Sequence, residues 1–366
     1  MHLSPAARLL LSLMTGSQDQ PRPWPWPDSA LLSASDLGTL LPAAYRTPGD
    51  GSAACSARFT VEDAARERQP IFTPEACADL FAALVQGLPG RKWADLCLGA
   101  GSLLRCPAGP PLDELAGHAR TLTGFLLREN RTGHPYALLA VAGLAGMDDE
   151  VAGRLTADLG PIAVAEISLL LGWDAERRAL LAEALQARSY NSPPPLPDLW
   201  ERLAALPDYV TFARTTLEAA DARIAAIHAG EIPYRADRAF DNAEKETIGR
   251  AVRLALFRDE PWLPALLDRL LRGVAVAPTT ARTLPSQALL YEVGRAAQEF
   301  PTPEVIAALR AASRVARHAG VPKQLDRVLK RVERALADRV EVAFRMPDHG
   351  VGPDGGSACR SAGTRP

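Results

Sequence analysis

The chain has 366 residues and a nearly balanced charge, with 41 basic against 43 acidic side chains, 47% hydrophobic residues and 23% charged residues. These values describe a globular protein large enough for one big or two ordinary domains, and they exclude fibrous, collagen-like and wholly disordered chains. A net charge of −2 also excludes attachment to nucleic acid through global charge, because it supplies no long-range attraction to phosphate.

Alanine is the commonest residue, with 65 copies, and only four basic residues are lysines. Base composition explains the arginine excess, so arginine abundance is not read as a binding signal. Alanine and leucine have the highest helix propensities, while β-branched and aromatic residues are sparse, so the expected fold is all-α. The five cysteines, Cys55, Cys77, Cys97, Cys106 and Cys359, are an odd and scattered set. They read as reduced thiols of a cytoplasmic protein.

In chain order, Leu9 to Met14 is too short for a signal-peptide core and is expected to form a first helix. In Pro21-Arg22-Pro23-Trp24-Pro25-Trp26-Pro27 each proline fixes its own φ and extends the residue before it, which predicts an arm with its tryptophans tucked onto nearby helices. A proline-rich ligand for a partner domain is the other reading of that arm. Thr73-Pro74-Glu75 predicts a helix start, with a polar cap, a proline in the first turn and an acid behind it. Leu98-Gly99-Ala100-Gly101-Ser102 is expected to be a turn.

Thr132 to Met147 carries no acidic side chain, lysine or arginine; it is too short to span a bilayer and is expected to be a buried helix. Asp148-Asp149-Glu150 reads as an acidic first turn. Asn191-Ser192-Pro193-Pro194-Pro195-Leu196-Pro197 marks the best boundary between two helical arrays. Beyond it, Val210, Ala213, Leu217, Ala220, Ile224 and Ile227 step by three and four residues, which predicts one long helix between Asp208 and Gly230. Thr302-Pro303-Glu304 starts another, with a stripe of Val305, Leu309, Ala312, Ala316 and Ala319 that ends by Gly320. His318 is expected to cap the end of that helix. Leu325, Val328, Leu329, Val332 and Leu336 form the stripe of the next.

The expected organisation is a Pro/Trp-rich arm with N-terminal helices over residues 1–59, a helical array over 60–190, a second over 198–345, and a disordered tail over 346–366. Helix starts near Trp262, Pro285, Pro303 and Pro322 give a pair about every 40 residues, close to the HEAT or armadillo period. The fold is therefore expected to be an irregular α-solenoid of HEAT-like antiparallel helix pairs, each burying its apolar side on its neighbour.

Chemistry is hard to find in this sequence. Gly87-Leu88-Pro89-Gly90-Arg91-Lys92 lacks the spacing and the hydroxyl residue of a phosphate loop, and no nucleophile elbow or His-Glu-x-x-His pair is present. Cys97, Cys106 and His118 match no common zinc spacing. No catalytic, metal or cofactor residue is assigned, and no cofactor is expected. One charge asymmetry stands out: between Pro301 and Val340 nine basic residues face four acidic ones, a local net of +5. Arg310, Arg314 and Arg317 are expected to share one helix face, and Arg327, Arg331 and Arg334 another. The bland reading is a solvated face. The functional readings are docking of an acidic partner or further domain, or nucleic-acid binding, which the lack of interleaved aromatic residues disfavours.

Thr283-Leu284-Pro285-Ser286-Gln287, Phe300-Pro301-Thr302-Pro303-Glu304 and His318-Ala319-Gly320-Val321-Pro322-Lys323-Gln324-Leu325-Asp326 carry a resemblance. This region, about residues 240–355, resembles the helical, HEAT-like part of large bacterial proteins of unknown function, including the molybdate metabolism regulator-like proteins. The resemblance implies a structural helical array and transfers no functional residue. It also implies a further C-terminal domain in the family, which fits a truncated or split version of a longer protein here. The expected function is a non-catalytic interaction scaffold or regulatory module. The alternatives are an enzyme with a site assembled from dispersed residues such as His118, Cys97 and Cys106, and nucleic-acid binding through the basic helices at 304–339.

Overall fold

A computed structural model describes residues 3–16, 21–49, 52–88, 95–185 and 193–339. These residues form seventeen α-helices and no strand, so the fold is all-α. Among them no helix is long and apolar enough to cross a membrane. By compactness the chain divides into two units, Met1–Val210 and Thr211–Pro366. The division falls within the helix Pro207–Ala229, and the proline-rich boundary expected at 191–197 lies partly outside the described residues. The expected tail at 346–366 and Cys359 lie wholly outside them.

The first unit holds α1 (Pro5–Thr15), α2 (Ala34–Arg46), α3 (Ala53–Glu67), α4 (Pro74–Val85), α5 (Leu96–Leu104), α6 (Leu112–Arg128), α7 (Pro135–Ala145), α8 (Asp148–Thr156), α9 (Pro161–Leu171), α10 (Ala175–Glu183) and α11 (Leu199–Ala204). The expected division at 59/60 lies inside α3. At its centre α7 buries every residue from Tyr136 to Ala142 and packs on α5, α6, α8, α9 and α10. A helix that is apolar all round needs such an enclosure, which is why the stretch without acid, lysine or arginine sits inside and not in a bilayer. Local start chemistry works as expected at α4, where the Thr73 hydroxyl accepts from the Ala76 amide and Pro74 occupies the first turn.

Two local expectations fail in this unit. The Leu98–Ser102 segment is not a turn but the middle of α5, started by the Asp95 carboxylate accepting from the Leu98 amide. Its glycines are used for close approach. A Cβ on Gly99 would lie 3.0 Å from the Leu84 side chain, and one on Gly101 would lie 2.8 Å from the Arg105 guanidinium. The proline-rich arm is the second case. It is anchored on α3 where Arg22 donates to Ser56 Oγ and the Trp26 indole donates to Thr60 Oγ1 at 3.0 Å. Trp24, between the two anchors, is 94% exposed, so only one of the two tryptophans is tucked in.

The second unit holds most of α12 (Pro207–Ala229), then α13 (Asn242–Phe257), α14 (Leu263–Ala275), α15 (Gln287–Glu299), α16 (Pro303–Val315) and α17 (Val321–Ala337). The stripe expected on α12 is buried at Ala213, Leu217, Ala220, Ile224 and Ile227, while Val210 is half-buried. Helices alternate in their packing: α13, α15 and α17 pack in succession, as do α14 and α16, and α15 touches both α14 and α16. Along α12, Arg223 meets Glu244 of α13 at 2.9 Å, and His228 Nε2 lies 2.9 Å from the Gly273 carbonyl of α14.

Candidate interaction surface

The α16–α17 region is built from a strong helix start and a shared apolar seam. The Thr302 hydroxyl accepts from the Val305 amide, and α16 buries Val305, Ile306, Ala308, Leu309 and Ala312. On α17, Val321, Leu325, Val328, Leu329 and Val332 are buried. The Val328 side chain crosses α15 at Gly294, where a Cβ would come within 2.6 Å of it. Packing therefore consumes the apolar sides of both helices and leaves their polar sides outward.

All six arginines singled out by the sequence, Arg310, Arg314, Arg317, Arg327, Arg331 and Arg334, are exposed. Arg327, Arg331 and Arg334 share one face of α17 as expected, but the first trio does not share one face of α16. Helix α16 ends at Val315 with Ala316 in an extended conformation, so Arg317 lies beyond it and donates to the Thr279 carbonyl at 2.9 Å. Alanine buries too little to hold a last turn at 316–319, and Ala319 is exposed. His318 does not cap α16; its Nδ1 accepts the Gly320 amide just before α17. Arg310 pairs with Glu333 of α17 at 2.6 Å, both ends largely exposed. The three α17 arginines are joined by Lys323 and Lys330, also exposed. The sequence counted these lysines in the local charge but left them out of the site. Their recurrence at steps of three and four with the arginines is the signal that places them on the same face.

The remaining arginines explain why their number carried no signal. Arg105 and Glu183 are each 2% exposed and form a bidentate pair at 3.0 and 2.9 Å. Arg105 also donates to Gln69 Oε1, the Gly101 carbonyl and the Pro194 carbonyl. Arg178 is held by Asp148 and by the carbonyls of Leu139, Leu171 and Trp173. Thus Asp148 does more than face its helix start. In the second unit Arg253 pairs with Glu292 at 2.7 Å and Glu299 at 3.0 Å. Buried charge of this kind needs donors and counter-charges around it, and those meeting Arg105 and Arg178 are parts of the packed helices and their ends.

The three residues of the dispersed trio occupy different places in the first unit. Cys97 is buried on α5, Cys106 follows it with its thiol directed at the Gly109 carbonyl, and His118 is half-buried on α6. Among the described residues no group of three His, Cys, Asp or Glu side chains is placed to hold a metal ion. Burial pushes the Cys77 thiol up to about 11 against an opposing hydrogen bond from Ser102, with Cys106 adding to the rise. Burial likewise raises Cys106. A thiol held protonated is a poor nucleophile. Elsewhere in the first unit, Glu166 is fully buried and accepts from the phenols of Tyr136 and Tyr209 at 2.5 and 2.9 Å. No family model, curated protein or solved structure matches this chain.

Proposed function

We propose that this protein is a non-catalytic interaction scaffold: an irregular α-solenoid of HEAT-like helix pairs whose basic α16–α17 region docks a partner protein or further domain. The observation that carries the reading is the exposure of all six arginines, five on helices whose apolar sides are already used in packing and Arg317 just beyond α16. The alternation of α13, α15 and α17 with α14 and α16 supports the solenoid, since stacked pairs place each helix beside the next but one. It also supports the HEAT-like resemblance over the part of that region that is described, residues 240–339. The buried Arg105 and Arg178 are tied to backbone carbonyls and carboxylates, as expected of a frame.

The test is site-specific photocrosslinking. A photoreactive residue placed at Arg314 or Arg331 should capture the same protein from the native cell, while one at Gly153, which has open space around it on α8, should not. Capture of nucleic acid at 314 and 331, or of nothing, overturns the reading.

A further inference from the structure

The six arginines are not equivalent, and the differences single out one face. Arg310 is neutralised by Glu333, and Arg317 is occupied by the Thr279 carbonyl. On α17, Lys323, Lys330, Arg331 and Arg334 make no hydrogen bond or ion pair with any described residue, and Arg327 makes only a long contact with Gln324 of its own helix, at 3.4 Å. Projected at about 100° per residue, these five cations fall within roughly one-third of the helix circumference. They run along about 16 Å at 1.5 Å per residue. Asp326 and Glu333 lie to one side of this row, the side on which Arg310 approaches.

We propose that this outer face of α17 docks an acidic α-helical segment of a partner protein that presents carboxylates one turn apart. The inference rests on the scaffold reading and makes it more specific. A row of cations at steps of three and four is the mirror of Glu or Asp at the same steps on a helix lying alongside, so charge and spacing agree together. The other anionic surfaces fit less well. Insertion into a lipid headgroup layer requires an exposed apolar flank, and the apolar flank of α17 is buried in the fold. Single-stranded nucleic acid would find no aromatic side chain on α17 for stacking.

The experiment is a titration of the isotope-labelled full chain, read by backbone resonances at low salt. The ligands are an alanine-based helical peptide with Glu at steps of four, three and four, the same composition with Glu scattered around the helix, a short DNA duplex, and phosphatidylserine vesicles. The patterned peptide should perturb α17 and bind at least about fivefold more tightly than the scattered one. Screening by added salt should weaken it. Arg327→Glu with Arg334→Glu should weaken binding about tenfold, whereas Arg128→Ala, exposed on α6, should leave it within about twofold. Lys323→Gln with Lys330→Gln is the milder variant if the double reversal lowers helicity, and it should still weaken binding severalfold. Equal binding of both peptides, tighter binding of duplex or vesicles, or no response at α17 overturns the inference. The crosslinking test is read separately, so a partner captured at residue 331 with no response to the patterned peptide would sink this proposal and leave the scaffold standing.

Discussion

The two units contain the same device at different degrees of closure. In each, a glycine one turn before an arginine opens a helix surface: Gly101 in α5 before Arg105 at its C-terminal cap, Gly249 before Arg253 in α13. The guanidinium folds back to the glycine carbonyl, at 2.9 Å in the first unit and 3.1 Å in the second, and reaches a buried glutamate on another helix. In the first unit the circle closes, because Gln69 and the Pro194 carbonyl take the remaining donors. In the second, Arg253 Nη2 has no hydrogen-bond partner among the described residues, Glu292 is shared with Arg295, and Glu299 is 41% exposed. The local pattern sets up the clamp, but remote residues decide whether it is complete.

The comparison breaks most visibly at the arginines. Arg105→Met leaves Glu183 buried without its counter-charge and should cost about 3–5 kcal/mol in denaturant unfolding. Arg253→Met should cost less, about 1–3 kcal/mol, because Arg295 still serves Glu292 and Glu299 can turn to water. Arg105→Met combined with Glu183→Leu should recover most of the first loss. An Arg253→Met variant less stable than Arg105→Met would undo the distinction between closed and open clamps.

The glycines give the next effect. A Cβ at 249 would sit 2.5 Å from Glu292 Cγ, so Gly249→Ala should destabilise by about 1–3 kcal/mol despite alanine's better helix propensity. Gly117→Ala on α6, where nothing lies within 4 Å, should stabilise by up to about 1 kcal/mol. Thermal unfolding of the two variants should shift in opposite directions.

Thiol chemistry sharpens the contrast without changing the frame. Cys77 contacts Ser102 on α5, the helix that Arg105 caps, so native labelling by a disulfide reagent should be slow and should speed up in Arg105→Met but not in Arg253→Met. Its pH dependence has a fixed sign. Between the ordinary thiol value of 9.0 and the folded value of about 11, the folded chain keeps a proton that the unfolded chain has released. Stability should therefore fall as pH rises through that window, and Cys77→Ser should flatten the fall. The smallest effect belongs to Arg310→Ala, whose exposed pair with Glu333 should change stability by no more than about 0.5 kcal/mol.

Helices were legible wherever apolar side chains large enough to bury recur at steps of three and four. Residues Ala213 to Ile227 of α12 and Leu325 to Val332 of α17 illustrate this, and the Thr-Pro-Glu starts of α4 and α16 fall where expected. Alanine was the weak point: Ala316 and Ala319 keep the period, yet bury too little area to extend α16. Glycine was misread at 99 and 101, because its use there depends on Leu84, Arg105 and Glu183, contacts that no local pattern contains. The split of the arginines into dry and wet sets was illegible for the same reason. Arg105 and Arg331 have identical chemistry, and only the chain brought around them separates a clamp from a surface.

The arm on α3 has an optical consequence. With Trp24 almost fully in water and Trp26 hydrogen-bonded to Thr60, Trp24 should emit at longer wavelength than its neighbour and be quenched first by iodide. Any molecule that settled on the arm would blue-shift and shield that emission, so the protein carries its own spectroscopic reporter for occupancy of a surface remote from α17 in sequence.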